Sequence, residues 1–347
     1  DLKAEVEKGK LPPVEERLPK PEDLYVVDPV DSIGDYGGTA HSATIRPDWW
    51  GEDNCMMSVN TLLKYDFEKG KYIPHLAKSV EVNDKKTIWT INLREGVKWS
   101  DGELFTADDI LFWYEDVLLN KKMTPSISNQ WKVNNKVMNM EKIDNYTIQI
   151  SFSKPKPYFI NTLAHTASTG MYLPKHYLKN FHPKYVEMKK LNKKVEGADF
   201  DHWYQLFGDK NVNTYALPFR KNLPTLAAYK IVSRSSSRHV YERNPYYWKV
   251  DKEGNQLPYI NRIETDLVSN REVLNGKIMS GSVDFAGFLT DIRNYEMYKK
   301  YEDKEDYRTI LWQGGYGSEV IYMVNQTIKD ENLRKILQDV RFRRALS

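Results

Sequence analysis

The spacing of apolar and polar residues predicts a strand, a turn and a helix in one continuous stretch near residue 100. Residues 91–97 alternate at roughly strand spacing and lead to Ser-Asp-Gly at 100–102, a sequence typical of turns. Thr106 precedes Asp109 by three residues, just ahead of an apolar run, which predicts a capped helix start. Apolar residues then recur at helical spacing as far as Leu118, so the predicted helix has one buried face.

The order of residues in this stretch resembles the signature of a known family. Residues 93–117 read LREGVKWSDGELFTADDILFWYEDV and closely resemble the bacterial extracellular solute-binding proteins of family 5, the oligopeptide-, dipeptide- and nickel-binding type. A second match is VYERNPYYW at residues 240–248. The resemblance implies the ligand-capturing subunit of an ABC importer. We expect the signature itself to serve packing rather than ligand contact.

The resemblance also implies a mixed α/β fold, the type II clamshell of periplasmic binding proteins. We expect residues 1–58 to form the first part of lobe I with an N-terminal lead-in, and 59–170 a smaller subdomain on its side. Residues 171–330 are expected to complete lobe I, and 331–347 to start the crossover to lobe II. DVRFRRALS at 339–347 resembles the family motif that opens the helix into the opposing lobe. We therefore expect an N-terminal portion of a longer chain, without the C-terminal lobe.

Composition is consistent with a large ligand-binding protein. A chain of 347 residues exceeds the usual size of a single core, so two lobes are expected. The nine Trp, 23 Tyr and 12 Phe suit surfaces that stack on sugar rings or peptide side chains, although core packing accounts for many of them. The 51 basic and 48 acidic residues nearly cancel, which argues against a nucleic-acid-binding protein.

The sequence gives limited information on the compartment. A single cysteine, Cys55, excludes an internal disulfide, which fits a cytoplasmic or an exported protein equally well. Since no run of about 18 apolar residues occurs, no membrane-spanning segment is predicted. The resemblance implies an extracellular or periplasmic location, with membrane contact only through a lipid anchor or the permease. We expect a monomer.

Catalytic and metal-binding motifs are missing from the sequence. Adjacent carboxylates such as Asp108 and Asp109 point about 100° apart on a helix, which suits a solvated face better than acid–base catalysis. The seven histidines form neither an H-x-x-x-H nor an H-E-x-x-H pair, so no metal site is predicted from local ligands. We therefore predict a protein that is not an enzyme and needs no cofactor.

The candidate ligand contacts are aromatic residues and one amide near the cleft that the resemblance implies. They are Trp49, Trp50, Trp312, Tyr316, Tyr322 and Asn325. The two adjacent tryptophans follow GGTA at residues 37–40, which resembles the start of the family's first core strand, leading to the cleft. The other four lie near the crossover. A stacked aromatic ring contributes about 1 kcal/mol beyond area burial, so two or three of them anchor a sugar or peptide.

The ligand class stays open between an oligosaccharide and an oligopeptide. The family's oligopeptide binders carry an acidic residue in the strand before the position of Asn325, where this chain has Met323. The loss of that anchor for a peptide amino terminus favours an uncharged ligand such as an oligosaccharide. The predicted function is capture of such a solute between the lobes and delivery to an ABC permease. A ligand-sensing or chaperone-like lipoprotein and a glycosidase remain the alternatives.

Overall fold

The computed structural model of the chain forms two compact units, Asp1–Tyr307 and Arg308–Ser347. It describes residues 2–29, 31–46, 57, 60–211, 213–214, 217–218, 220–287, 289–311 and 323–346. All of the described strands belong to the first unit, and the described part of the second unit contains two helices. The sequence-based boundaries at residues 58, 170 and 330 stay predictions.

The described strands are short; half of them belong to two four-stranded sheets and the other half form two-stranded pairs. They are β1 (Tyr25–Val27), β2 (Gly37–Thr44), β3 (Leu63–Asp66), β4 (Lys71–Pro74), β5 (Ala77–Val82), β6 (Ile88–Leu93), β7 (Lys132–Val133), β8 (Lys136–Val137), β9 (Asn139–Lys142), β10 (Thr147–Ser151), β11 (Asn213–Thr214), β12 (Leu217–Pro218), β13 (Tyr229–Arg234), β14 (Arg238–Arg243), β15 (Lys249–Asp251) and β16 (Ile260–Leu267).

The helices are also short, none of those described exceeding eleven residues. They are α1 (Leu2–Glu7), α2 (Val14–Arg17), α3 (Ala107–Phe112), α4 (Phe159–Ala164), α5 (Lys175–Leu178), α6 (Met188–Glu196), α7 (Trp203–Lys210), α8 (Arg271–Met279), α9 (Tyr295–Glu305), α10 (Glu331–Gln338) and α11 (Val340–Ala345). A π-helical turn lies at Trp113–Leu118, and 3₁₀ turns lie at Pro21–Asp23, Asn129–Trp131, Thr166–Met171, Lys179–Phe181 and Ile292–Asn294.

The first sheet has the strand order β13-β14-β16-β2 and combines distant parts of the sequence. Its first three strands are antiparallel, whereas β16 and β2 run parallel, with Ile260 opposite Gly37 and Leu267 opposite Thr44. The core strand predicted from Gly37 is therefore confirmed as β2. The mixed helix-and-sheet fold is likewise the predicted one.

The second sheet, β5-β6-β10-β9, is antiparallel and carries the strand of the signature stretch. Trp89, Ile91 and Leu93 are buried at alternate positions of β6, as expected for a strand with one face on the core. The predicted extension of this strand to Val97 is wrong. The strand ends at Leu93, and Gly96 then takes a positive φ of 87°, a conformation that glycine adopts at little cost.

The helix predicted after the signature turn is present, but only its first part is α-helical. Thr106 and Asp109 form the predicted capping box at the start of α3. Beyond Phe112 the chain widens into the π-helical turn, which corrects the prediction of regular helical spacing to Leu118. Trp113 and its neighbour Tyr114 are both buried there, so adjacent residues rather than one stripe contact the core.

Asp109 connects three segments of the first unit through one buried carboxylate. Its Oδ2 accepts hydrogen bonds from the Thr106 backbone N–H (3.0 Å) and Trp99 Nε1 (3.2 Å). Its Oδ1 accepts one from the Lys175 backbone N–H at the start of α5 (3.0 Å). Burial raises the pKa of Asp109 to about 6, although these donors favour its charged form. The described contacts of this signature residue are thus internal to the fold.

The N-terminal lead-in is attached to the body of the first unit by Arg17. This arginine is 5% exposed and donates from Nη1 to the Pro245 carbonyl (2.5 Å) and to Gln256 Oε1 (2.7 Å). Gln256 in turn donates to the carbonyls of Pro245 and Tyr247, both at 2.9 Å. A charged, proline-bearing segment is therefore part of the packed structure.

Candidate functional site

The predicted ligand contacts are not brought together within the described residues. Trp49, Trp50, Trp312, Tyr316 and Tyr322 lie outside those residues. Asn325 is exposed in the second unit, where its Oδ1 accepts hydrogen bonds from the backbone N–H and Oγ1 of Thr327, both at 3.0 Å. Its amide oxygen therefore holds a local turn. The role of all six residues in ligand binding stays a prediction.

Trp49 and Trp50 follow β2 in the sequence, and the described residues define the edge of the sheet at which β2 ends. The parallel strands β2 and β16 end side by side at Thr44 and Leu267. Val268 continues the ladder by donating its backbone N–H to the Thr44 carbonyl at 2.9 Å. Ligands of open α/β sheets bind outside the carboxyl ends of parallel strands. This carboxyl edge, residues 44–46 and 267–271, is our candidate site.

Next to the edge, a small apolar core joins β2 to α8. Ala43 in β2 and Leu274 in α8 are fully buried, and Ile278, Leu289 and Tyr298 complete the cluster. Thr44 is also fully buried, and its Oγ1 accepts a hydrogen bond from the Arg46 backbone N–H at 3.1 Å. This bond lies where β2 ends.

The start of α8 supplies the polar groups of the edge. Asn270 caps the helix, since its Oδ1 accepts a hydrogen bond from the Val273 backbone N–H at 2.9 Å. Arg271 donates from Nη1 to the Leu289 carbonyl at 3.1 Å, and Lys277 pairs with Asp266 at 2.9 Å. The helix is therefore fixed to the strand that precedes it. Such a start can present backbone N–H groups and an arginine to the oxygen atoms of a polar solute.

The segment of Asp284 and Phe285 is hydrogen-bonded to β2. Asp284 Oδ2 accepts a hydrogen bond from the His41 backbone N–H (2.6 Å), and the Asp284 N–H donates to the His41 carbonyl (2.8 Å). Ser42 Oγ donates to the Phe285 carbonyl at 3.1 Å. Segments on both sides thus hold β2 where it approaches the candidate edge.

Sequence reasoning missed Thr44, Arg46 and Asn270 as parts of the edge. The signal for Asn270 was local, because an asparagine before an apolar-periodic segment is a helix-cap pattern. The other two depend on the pairing of β2 with β16, more than 200 residues apart in the chain. Within the described ranges, no three His, Cys, Asp or Glu side chains are placed to hold a metal ion.

Comparison with known proteins finds one family over most of the chain. Residues 71–347 match the family model described as bacterial extracellular solute-binding proteins, family 5 Middle. The matched family and the relatives below are named as binding proteins and not as enzymes. Among the described residues, no helix has the length and apolar character needed to cross a membrane.

Three relatives illustrate the similarity. The chain is 32% identical to the periplasmic alpha-galactoside-binding protein of Rhizobium meliloti over 76% of its own length and 38% of the relative's. A solved oligopeptide-binding protein OppA matches at 38% identity, with a TM-score of 0.82, over 100% of this chain and 54% of its own. The periplasmic binding protein MelB of Agrobacterium fabrum, solved with stachyose, matches at 30% identity with a TM-score of 0.65. This match covers 85% of the present chain and 44% of MelB.

The similarity covers only part of each relative. The chain spans about two fifths to just over half of their lengths, between 38% and 54%. The fold match to OppA and MelB agrees with the predicted periplasmic-binding-protein architecture.

Proposed function

Because the chain belongs to the bacterial extracellular solute-binding proteins of family 5, we propose that the whole protein captures an oligosaccharide of the α-galactoside type. It delivers this solute to the permease of an ABC importer. The carboxyl edge at Thr44 and Asn270 contributes one wall of the binding cleft, together with Trp49 and Trp50. Ligand contacts to both walls favour the closed state, so binding and hinge closure are coupled.

The observation that carries the sugar assignment is agreement between two relatives of at least 30% identity. One is named an alpha-galactoside-binding protein, and the other was solved with stachyose, itself an α-galactoside. Met323 also supports an uncharged ligand, since a thioether does not pair with the ammonium group of a peptide. Aromatic residues near the cleft would stack on the apolar faces of sugar rings.

An oligopeptide is the second candidate ligand, and one observation favours it. The solved protein with 38% identity, which covers the whole of this chain, is named an oligopeptide-binding protein. Peptide binding would rely on backbone hydrogen bonds along an extended ligand.

A thermal-shift screen of the full-length protein separates the two ligands. A ligand at a hundred times its dissociation constant adds about 2.7 kcal/mol to the free energy of unfolding, which raises the melting temperature measurably. We expect stachyose to raise it and tetra-alanine to leave it unchanged. A higher melting temperature with tetra-alanine alone would indicate a peptide ligand in place of the sugar. An unchanged melting temperature with both compounds would contradict capture of either solute.

The location and assembly of the protein form part of the same proposal. We place it outside the cytoplasmic membrane, attached through a lipid anchor or held by the permease, and we expect a monomer. The periplasmic location in the name of the alpha-galactoside-binding relative supports the compartment. Light scattering of the purified full-length protein gives its molar mass and so tests whether it is a monomer. Metabolic labelling with a fatty acid tests whether the protein carries a lipid anchor.

A further inference from the structure

Three loops meet at one end of the second sheet, where β5 and β10 end and β6 and β9 begin. They are residues 83–87 between β5 and β6, residues 132–138 before β9, and residues 152–157 after β10. Ser151, the last residue of β10, lies opposite Ile88 of β6 and Asn139 of β9. The pairing of these strands therefore brings loops from three parts of the sequence to the same end of the sheet.

Lys156 connects the three loops by hydrogen bonds. Its backbone N–H donates to the Lys86 carbonyl at 2.9 Å. Its Nζ donates to the carbonyls of Lys132, at 2.8 Å, and of Asn129, at 3.1 Å. The three backbones are thus within reach of one side chain, so the loops are direct neighbours in space.

Tight turns fix the first two loops. Asn83 Oδ1 accepts hydrogen bonds from the backbone N–H groups of Thr87, at 2.8 Å, and Ile88, at 3.0 Å. The hairpin of β7 and β8 turns at Asn134 and Asn135, whose φ values of 49° and 59° are those of a two-residue hairpin turn. The side chains on these loops are therefore attached to a defined backbone.

The three loops carry a concentration of positive charge. Six lysines and one aspartate, Asp84, give them a net charge of +5, whereas the whole chain carries +3. Within the described ranges, none of the six lysines forms a salt bridge. We call the six the lysine surface: Lys85, Lys86, Lys132, Lys136, Lys154 and Lys156.

Most of the lysine surface is open to solvent. Lys85, Lys86, Lys136 and Lys154 are exposed, and the other two lysines are half-buried. The next acidic residues on the adjoining strands are Glu81 of β5 and Glu141 of β9. The Glu141 carboxylate accepts a hydrogen bond from Asn139 Nδ2 at 2.8 Å. The exposed ammonium groups therefore face solvent at the loops in excess over carboxylates.

The residue types on these loops favour an extended anionic surface as the partner. A lysine ammonium is a point charge on a flexible stem, without the planar fork by which arginine binds one carboxylate or phosphate in a fixed geometry. Tyr158, two residues after Lys156, is 79% exposed. Tyrosine rings are enriched at the headgroup level of membranes, where one end of the ring is apolar and the other is hydrated.

We propose that the lysine surface docks the protein on a membrane that carries anionic phospholipid headgroups. Lysines close to such a membrane are each attracted to its negative surface potential, over a distance that salt screening limits. Docking of this kind would hold the protein near its permease in addition to a lipid anchor. The proposal rests on the proposed location outside the cytoplasmic membrane and not on the identity of the solute.

Sedimentation with vesicles tests the docking on full-length protein purified without an attached lipid. The vesicles consist of phosphatidylcholine alone or of phosphatidylcholine with about 30% phosphatidylglycerol, in about 0.1 M salt. We expect binding to the anionic vesicles to be at least about tenfold tighter than to the neutral ones. It should be lost in about 1 M salt, where the Debye length falls from about 10 Å to about 3 Å. Equal binding to both kinds of vesicle would overturn the proposal.

Variants assign the vesicle binding to the lysine surface. The triple substitution Lys85→Gln, Lys136→Gln and Lys154→Gln removes one exposed charge from each loop. We expect it to weaken binding to the anionic vesicles at least about tenfold, because each lysine contributes separately to the attraction. Arginine at the same three positions keeps the charge and should retain binding within about threefold. Unchanged binding of the glutamine triple would overturn the assignment to these loops.

A matched control removes the same charge elsewhere. Lys189→Gln, Lys193→Gln and Lys300→Gln act at exposed positions of α6 and α9, and together they should change vesicle binding less than about threefold. A loss as large as in the first triple would show that net charge alone is responsible. Binding of poly-glutamate without binding of anionic vesicles would overturn the lipid assignment in favour of an acidic protein partner.

Solute binding is measured separately in all of these variants. Stachyose or tetra-alanine, whichever binds, should bind to the glutamine triple as it does to the unmodified protein. Loss of solute binding in that triple would contradict a role of the lysines in membrane docking alone. Because vesicle binding is measured without solute, failure of the solute assignment and failure of the docking proposal give different results.

Discussion

At the scale of single residues, Asp109 is a position where we expect substitution to reduce stability. Asp109→Asn replaces one carboxylate oxygen by an NH2 group that faces backbone or indole donors already aimed at it. A buried donor left without an acceptor costs about 1–3 kcal/mol, so we expect the free energy of unfolding to fall by about that amount in urea denaturation.

The neighbouring carboxylate provides a matched control for this substitution. Asp108 has a side chain that is 44% exposed and pairs with Lys142 at 3.2 Å. Asp108→Asn removes the same charge from the same helical turn, but exposed pairs contribute at most about 1 kcal/mol. Equal destabilisation by the two substitutions would show that the buried hydrogen bonds of Asp109 are not the cause.

The pair of Asp101 and His176 predicts a defined pH dependence. The two side chains are 2.8 Å apart. Burial opposes both charges, but their mutual hydrogen bond prevails, raising the pKa of His176 above 6.5 and lowering that of Asp101 below 3.8. The contribution of this pair to the free energy of unfolding is therefore lost as pH rises through the folded-state pKa of His176. It is also lost at the acid end, as pH falls through the folded-state pKa of Asp101.

Substitution of the histidine tests this window. We expect His176→Gln to lower the free energy of unfolding by up to about 1 kcal/mol near pH 5 and by less at pH 9, because the pair is partly exposed. His165→Gln, which removes an exposed imidazole outside this pair, is the control substitution. A His176→Gln effect that grows toward pH 9 would contradict the assigned charges.

At the scale of elements, Arg17 attaches the N-terminal lead-in to the segment between β14 and β16. Arg17→Met keeps most of the side chain's apolar stem but leaves the Pro245 carbonyl and Gln256 Oε1 without the guanidinium. We expect the free energy of unfolding to fall by about 2 kcal/mol, since hydrogen bonds to a charged group are among the stronger ones. Lys10→Met, at an exposed position of the same lead-in, should change it by less than about 0.5 kcal/mol. Equal effects of both substitutions would show that the hydrogen bonds of Arg17 do not hold the lead-in in place.

Local elements were predictable from the sequence, and pairings between distant segments were not. Thr106 and Asp109 are three residues apart, so their capping box was visible in the pattern. The burial of Arg17 depends on residues more than 200 positions away, so no local pattern in the lead-in could predict it. The π-helical turn after Phe112 was also missed, because its apolar spacing fits an α-helix equally well.

At the scale of the whole molecule, the family was predictable and the ligand only in part. The motifs near residues 100 and 245 were sufficient to identify solute-binding proteins, and the match over residues 71–347 confirms them. The candidate edge required the parallel pairing of β2 with β16, which leaves no local signal beyond the start of β2.

Calorimetric titration of the full-length protein with stachyose tests oligosaccharide capture most directly. We expect one binding site per chain with a dissociation constant of about 1 μM or below, equivalent to about −8.2 kcal/mol or better. Tetra-alanine under the same conditions should release no heat beyond dilution. Absence of heat with stachyose, together with saturable binding of the peptide, would contradict oligosaccharide capture.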